Sequence, residues 1–282
     1  MSKVQNIAVI GSGSMGNGIA QVGAQAGFNV TLFDIAAPQL EKAMASVQKS
    51  LAKLAEKNKL KDTPENILKR IHATTQFGDM KNADFVIEAA TENREVKFKL
   101  FRDLDALIAP GKILVSNTSS ISITEIGRQT KRPELIAGMH FMNPVPLMAL
   151  VEGIKGMATS DECFKTVRTV AEQMGKTFIE AKDAPGFAVN RILMPMINEA
   201  FVALQEGLAS AKDIDTAMKL GCNFPMGPLE LADFVGLDVC LFVMEILHRD
   251  LGDTKYRPAP LMRKYVEAGW MGKKSGRGVY VY

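Results

Sequence analysis

The sequence predicts an α/β domain built on a parallel sheet, followed by a smaller all-α domain, and three observations carry that expectation. Short β-branched runs alternate with helical stretches over the first two thirds of the chain, the pattern of strands joined by crossover helices. Those runs are almost continuously apolar, as strands buried on both faces are. From about residue 188 the strand signal stops and only helical periodicity remains. A chain of 282 residues has room for about two domains. The change of character near 183–186 divides it into an expected 1–184 and 185–282.

Taken in order, the expected strands are NIAVI (6–10), NVTLFD (29–34), ADFVIEA (83–89), KILVSN (112–117), LIAGMHF (135–141), ALVEGI (149–154) and KTFIEA (176–181). A helical stretch, 19–25, follows the first run, and 38–57 carries Leu40, Met44, Val47, Leu51 and Leu54 along one face. The segment 95–108 repeats the pattern with Phe98, Phe101, Leu104 and Ile108. Beyond AKDAPGF (181–187), an apolar face runs through Leu193, Ile197, Phe201, Leu204 and Leu208, with Pro195 near enough to the start to be tolerated. Ser210-Ala-Lys-Asp213 resembles a capping box before a helix that Gly221 ends. Gly227-Pro228 opens a third helix carrying the apolar run 239–247, which needs burial in its own core or a partner's.

Composition excludes several classes. Apolar residues make up 47% and charged residues 23%, so the chain is an ordinary globular one and not a disordered one. A net charge of +3 is too small to argue for nucleic acid. Cys163, Cys222 and Cys240 leave an odd cysteine over, and with three histidines and no C-x-x-C spacing neither a disulfide scaffold nor a metal site is expected. No apolar stretch approaches the length of about 18 residues that a membrane helix needs. The start MSKVQNIAVIGSG lacks a full apolar core with a small-residue cleavage site, so no signal peptide is expected. The expectation is a soluble protein of a reducing compartment, with the cytoplasm as default.

Gly11-Ser-Gly13-Ser14-Met15-Gly16 is a G-x-G-x-x-G that directly follows a strand and opens a helix, and Asp34 stands 18 residues past Gly16 at the end of the second strand. That context is the dinucleotide-binding fingerprint of a Rossmann-type domain. Gly11 permits the tight turn, Gly13 the approach of a diphosphate, and Gly16 close helix–strand packing. The helix start, with Ser14 and Met15, offers free N–H groups and a positive dipole end to the diphosphate. Asp34 can accept both ribose hydroxyls but repels a 2′-phosphate, and Ile35-Ala-Ala37 supplies no Arg, so NAD is favoured over NADP. On the helix 38–57, Lys42, Lys49, Lys53 and Lys57 fall on one side. A solvated face is the simpler reading and a groove for a phosphorylated ligand such as coenzyme A the functional one; spacing does not choose between them.

Three polar segments stand where strands end, the ends that face the ligand crevice in open α/β sheets. They are Ser116-Asn-Thr-Ser119-Ser120, His140-Phe-Met-Asn143-Pro-Val-Pro146, and Glu152 inside LVEGI. One imidazole, one carboxylate and a hydroxyl cluster suit alcohol–ketone chemistry, in which a base takes the hydroxyl proton while hydride leaves the same carbon. A carboxylate on the other ring nitrogen fixes the tautomer and stabilises the imidazolium. Glu152 in an apolar strand needs a partner, which favours pairing with His140 over a merely structural histidine. Ser119 also reads as a helix cap before 121–127, and His72 and His248 read as structural.

These segments, with DAPGFAVNR (183–191), FPMGPLELADFVGLD (224–238) and the ending GKKSGRGVYVY (272–282), resemble the 3-hydroxyacyl-CoA dehydrogenase family over essentially the whole length. The length, without a fused hydratase, is that of its small bacterial members. The resemblance implies NAD-linked interconversion of (S)-3-hydroxyacyl-CoA and 3-oxoacyl-CoA, short chains such as 3-hydroxybutyryl-CoA preferred, in fatty-acid or butanoate metabolism. It implies His140 as acid and base, Glu152 as its orienting group, and Ser119 and Asn190 as hydrogen-bond partners of the substrate oxygen. It further implies that Glu92, Lys97, Ser119, Asn143 and Lys274 line the NAD site, that Ser50 and Lys57 contact the coenzyme A nucleotide, and that the helical domain forms a homodimer. Without it Asn190 reads as a helix cap. Two other functions compete: a dehydrogenase of free 3-hydroxy acids, which usually places a catalytic lysine in its helical domain, and a non-catalytic crystallin-like protein. The His140–Glu152 pair, which offers the base, argues against the first, and the set Ser119, His140, Glu152 and Asn190 against the second.

Overall fold

The computed structural model describes residues 4–282, which form two compact units that divide between Ala184 and Pro185. In the first unit the strands are β1 (Asn6–Ile10), β2 (Asn29–Phe33), β3 (Ile71–Thr74), β4 (Phe85–Glu88), β5 (Ile113–Ser116), β6 (Ile136–Phe141), β7 (Leu150–Lys155) and β8 (Thr177–Lys182). The helices between them are α1 (Ser14–Gln25), α2 (Ala37–Glu56), α3 (Pro64–Lys69), α4 (Arg94–Leu107), α5 (Ile123–Arg128) and α6 (Asp161–Gln173). The strands form one eight-stranded sheet in the order β3-β2-β1-β4-β5-β6-β7-β8. Strand order runs outward in both directions from β1, so the loops after β1 and β4 flank a topological switch point. Ile7, Val9, Leu32, Phe85, Ile87 and Val115 pack in the core beneath the helices.

Two departures from the expected strands have clear physical reasons. β6 and β7 pair antiparallel, not parallel, because residues 142–149 are too few for a crossover helix. The turn places His140 directly opposite Glu152. β3 has no counterpart among the expected runs. It is a short edge strand, IHAT, buried at both ends and more open between, with a polar residue at its second and fourth positions, so it lacks the apolar run that marks the inner strands. The short helix after SNTSS is capped by Ser122, whose hydroxyl accepts from the Glu125 amide, and not by Ser119.

The second unit contains α7 (Val189–Gln205), α8 (Ala211–Gly221), α9 (Pro228–Val235), α10 (Leu237–Leu251) and α11 (Pro260–Glu267). Its core gathers Met194, Ile197, Phe201, Leu229, Leu237, Met244 and Met262. Ser210 caps α8, its hydroxyl accepting from Asp213 N at 3.2 Å. The single helix expected from Gly227 onward is two helices, because Gly236 at φ +104° breaks the chain direction between α9 and α10. Along α10, Cys240, Leu241, Val243, Met244, Ile246 and Leu247 are buried, whereas Val239 and Phe242 stay exposed. Leu208 lies beyond the end of α7 and is exposed. The C-terminal segment is pinned by two buried carboxylates: Asp233 accepts from the Val279 and Tyr280 amides, and Asp215 from the Tyr280 hydroxyl at 2.6 Å. Among the described residues no helix is long and apolar enough to cross a membrane.

Candidate active site

The loop leaving β1 turns at Gly11, whose φ of +89° suits glycine. A Cβ on Gly11 would stand 2.5 Å from Ala90 Cα, and one on Gly16 would stand 1.7 Å from the Gly11 carbonyl oxygen. Both positions therefore close the backbone upon itself. Gly13 differs: a Cβ there would meet nothing within 4 Å, so this peptide faces open space. No side chain caps α1, which leaves its first amides and its positive end for a ligand. An open glycine peptide beside an uncapped helix start fits the diphosphate of a dinucleotide.

Asp34 holds the shape of this loop. Its Oδ2 accepts from the Ser12 amide and hydroxyl, both at 2.8 Å, and its Oδ1 accepts from the Ala36 amide at 3.0 Å. The carboxylate remains partly exposed at the end of β2, where the ribose of a dinucleotide lies in this fold.

At the neighbouring strand ends lies a buried ion pair between Lys97 and Glu88, of which sequence reasoning singled out the lysine but not the glutamate or the pairing. Glu88 closes β4 and Ser116 closes β5, and Lys97 reaches them from α4. The Lys97 ammonium pairs with Glu88 Oε2, to which Ser116 Oγ also donates at 2.6 Å. Glu88 Oε1 accepts from the Ala90 amide at 2.9 Å, fixing the backbone against which Gly11 packs. Lys97 is thus placed under the loop and bound to a carboxylate. The signal in the sequence was a lone acid at the end of an apolar strand, FVIE, which requires a buried partner.

Glu92, from the loop after β4, organises the segment that carries Ser119. One carboxylate oxygen accepts from Ser119 N at 2.7 Å and Ser119 Oγ at 3.1 Å, and the other from Thr118 Oγ1 at 2.7 Å. Asn117 Oδ1 accepts from Phe141 N at 2.8 Å, which ties this segment to the strand bearing His140.

His140 and Glu152 form a cross-strand pair, Nδ1 to Oε2 at 2.7 Å. Glu152 is 0% exposed and His140 7%, so the pair sits in low dielectric at the end of β6. Three strand spacings separate β6 from β1, about 14 Å, and the parallel strands between them end on the same side. The loop after β6 returns to the glycine loop, where Ser14 Oγ lies 3.4 Å from Asn143 Oδ1.

The remaining candidates stand on other elements. Ser50 is half-buried on α2, and Lys57 caps its end. Lys42, Lys49, Lys53 and Lys57 are exposed, and no carboxylate pairs with them among the described residues. In the second unit, Asn190 stands in the first turn of α7, whose N-cap is Ala188, and Lys274 Nζ donates to Asp238 Oδ2 at 2.7 Å. Among the described residues no group of three His, Cys, Asp or Glu could hold a metal ion.

A glycine loop shaped for a dinucleotide on the same sheet edge as a histidine–carboxylate pair belongs to the nicotinamide-dependent dehydrogenases. Residues 6–184 match the 3-hydroxyacyl-CoA dehydrogenase NAD binding domain, and residues 186–282 match the C-terminal domain of the same family. The chain belongs to the 3-hydroxyacyl-CoA dehydrogenase family. It is 54% identical to a probable 3-hydroxybutyryl-CoA dehydrogenase of Deinococcus radiodurans, over 97% of this chain and 99% of the relative. Identity to the 3-hydroxybutyryl-CoA dehydrogenase of Bradyrhizobium diazoefficiens is 50%, over 99% and 96%. The crystal structure of (S)-3-hydroxybutyryl-CoA dehydrogenase from Ralstonia eutropha superposes with a TM-score of 0.96 at 51% identity, covering 99% of both chains.

Proposed function

We propose that the protein interconverts (S)-3-hydroxybutyryl-CoA and acetoacetyl-CoA with NAD as cofactor. The observation that carries this reading is the buried His140–Glu152 pair on the sheet edge that also bears the glycine loop. It is supported by full-length similarity to 3-hydroxybutyryl-CoA dehydrogenases.

NAD, when bound, would supply a hydride acceptor for the substrate's C3 in oxidation and, as NADH, a hydride donor in reduction. Gly13 and the start of α1 would receive its diphosphate, and Asp34, which already accepts from Ser12 and Ala36, would accept from a ribose hydroxyl and disfavour a 2′-phosphate. His140 takes the C3 hydroxyl proton in oxidation and gives it back in reduction, through Nε2, since Nδ1 is held by Glu152. Glu152 fixes the tautomer and stabilises the imidazolium. Ser119, oriented by Glu92, hydrogen-bonds the substrate oxygen. Glu92 acts on the cofactor side of the site by holding this segment, and Lys97 by bracing Glu88 under the glycine loop.

For Asn190 at the substrate oxygen, Lys274 and Asn143 at the cofactor, and Ser50 and Lys57 at the coenzyme A nucleotide, the assignment rests on family resemblance. The protein works as a cytoplasmic homodimer through its helical unit, a reading supported by exposed Ile192, Leu220 and Phe234 in that unit and by three free cysteines.

Adding acetoacetyl-CoA and NADH and following loss of the reduced-nicotinamide absorbance tests the reading. Rapid oxidation with the thioester and none with free acetoacetate supports it. No oxidation with acetoacetyl-CoA, or equal rates with the free acid, refutes it.

A further inference from the structure

A buried lysine outside these assignments stands beside the loop between the two members of the catalytic pair. Lys176 is 8% exposed, and no carboxylate pairs with it among the described residues. Burying an ammonium without a counter-ion is costly, and desolvation lowers its pKa from the ordinary lysine value. Its Nζ donates instead to two backbone carbonyls, Val145 at 2.6 Å and Met148 at 2.8 Å. The register explains how it reaches them. β8 starts at Thr177, paired with Leu150 on β7, and Thr177 N donates to Ala149 O at 2.7 Å. Lys176 therefore stands next to the exit of the 142–149 loop.

That loop lies on α1. Val145 is 0% exposed, and a Cβ on Gly18 of α1 would stand 2.8 Å from Val145 Cβ and 3.3 Å from Pro146 Cδ. The absent side chain at Gly18 lets the loop seat there. Asn143, at the start of the same loop, is thereby brought beside Ser14 at the helix start.

We propose that Lys176 is a positioning residue for the cofactor: its two hydrogen bonds hold the 142–149 loop on α1 so that Asn143 is presented beside Ser14. The proposal rests on the reading of Asn143 as a cofactor contact. His140 and Glu152 are held by the β6–β7 ladder, not by the loop, so loosening the loop weakens cofactor binding and leaves the chemical step intact.

The test measures NADH Kd by fluorescence titration without substrate, together with steady-state KM for NADH and kcat, in K176M, K176R and N143A. Methionine keeps the length of the side chain and removes its donors, leaving both carbonyls unpaired. K176M should raise NADH Kd and KM about 5- to 50-fold with kcat within about twofold, and K176R, which keeps donors, should recover most of the affinity. A lowered melting temperature with unchanged NADH Kd, or a fall in kcat alone, overturns the proposal. Should K176M fail to fold, G18A decides, because its added Cβ displaces the same loop: raised Kd with kcat kept supports the proposal and unchanged Kd overturns it. N143A must also raise NADH Kd. If it does not, the Asn143 reading fails and takes the proposal with it. An effective N143A with a silent K176M overturns the proposal alone.

Discussion

Replacing Glu152 with Gln removes one negative charge from a fully buried position and keeps the side chain's size. The change acts on the 2.7 Å link to His140 Nδ1. In oxidation the imidazole becomes an imidazolium as it takes the substrate proton, so the carboxylate's attraction grows along the reaction coordinate and contributes to kcat. A hydrogen bond to a charged group contributes about 1.5–3 kcal/mol, which at about 1.4 kcal/mol per tenfold predicts a kcat loss of about 10- to 150-fold. A glutamine that turns its NH₂ toward Nδ1 would also favour the tautomer protonated on Nε2, which cannot accept the proton, and this adds to the loss. The assay is steady-state oxidation of (S)-3-hydroxybutyryl-CoA at saturating NAD, with NADH Kd measured in parallel and expected to hold. A kcat within about twofold of the unmodified enzyme would remove Glu152 from the proton path. If the pair works as one unit, H140N/E152Q should be little slower than H140N alone.

The unmodified protein should prefer NADH to NADPH, and Asp34→Ser with Ile35→Arg should narrow or reverse the ratio of kcat/KM values. Because Asp34 also holds Ser12, the double variant should lose some NADH affinity, and equal kcat/KM for both cofactors in the unmodified enzyme contradicts the reading. Lys57→Ala should raise KM for acetoacetyl-CoA while kcat stays, by up to about fivefold at low salt, since an exposed charge contributes about 1 kcal/mol or less; no change returns the stripe to a solvated helix face. Burial pushes the Cys163 and Cys240 thiols up to about 12, so both stay protonated at pH 8. Exposed Cys222 alone should react with a maleimide in the native protein, and modification of all three without unfolding contradicts the buried placement.

What the sequence makes legible is what its local patterns encode. The glycine loop and Asp34 are a short-range motif, and each glycine meets the surroundings its place in the motif requires. His140 and Glu152 are legible as residue types at the ends of apolar runs. Their antiparallel register is not, because an apolar run reads the same in either direction and only the short 142–149 connection decides it. β3 is silent because an edge strand needs no continuous apolar run. Gly236 falls inside an apolar helical pattern, and only its positive φ shows that the helix breaks there. Glu88, Lys97 and Ser116 meet from three separate elements, so their shared burial arises only from the tertiary fold. The same holds for Lys176, whose carbonyl partners lie on a loop from the neighbouring strand.

The central claim is that His140 carries the proton, and His140→Asn tests it most directly. Asparagine can still hydrogen-bond the substrate oxygen but cannot accept its proton, and general acid–base catalysis typically contributes about 10²–10⁴-fold. The measurement is kcat for acetoacetyl-CoA reduction and for (S)-3-hydroxybutyryl-CoA oxidation, with NADH Kd as the check on folding and cofactor binding. The account predicts a loss of about 10²–10⁴-fold in both directions, with modest change in KM and NADH Kd unchanged. Full activity in His140→Asn would contradict it.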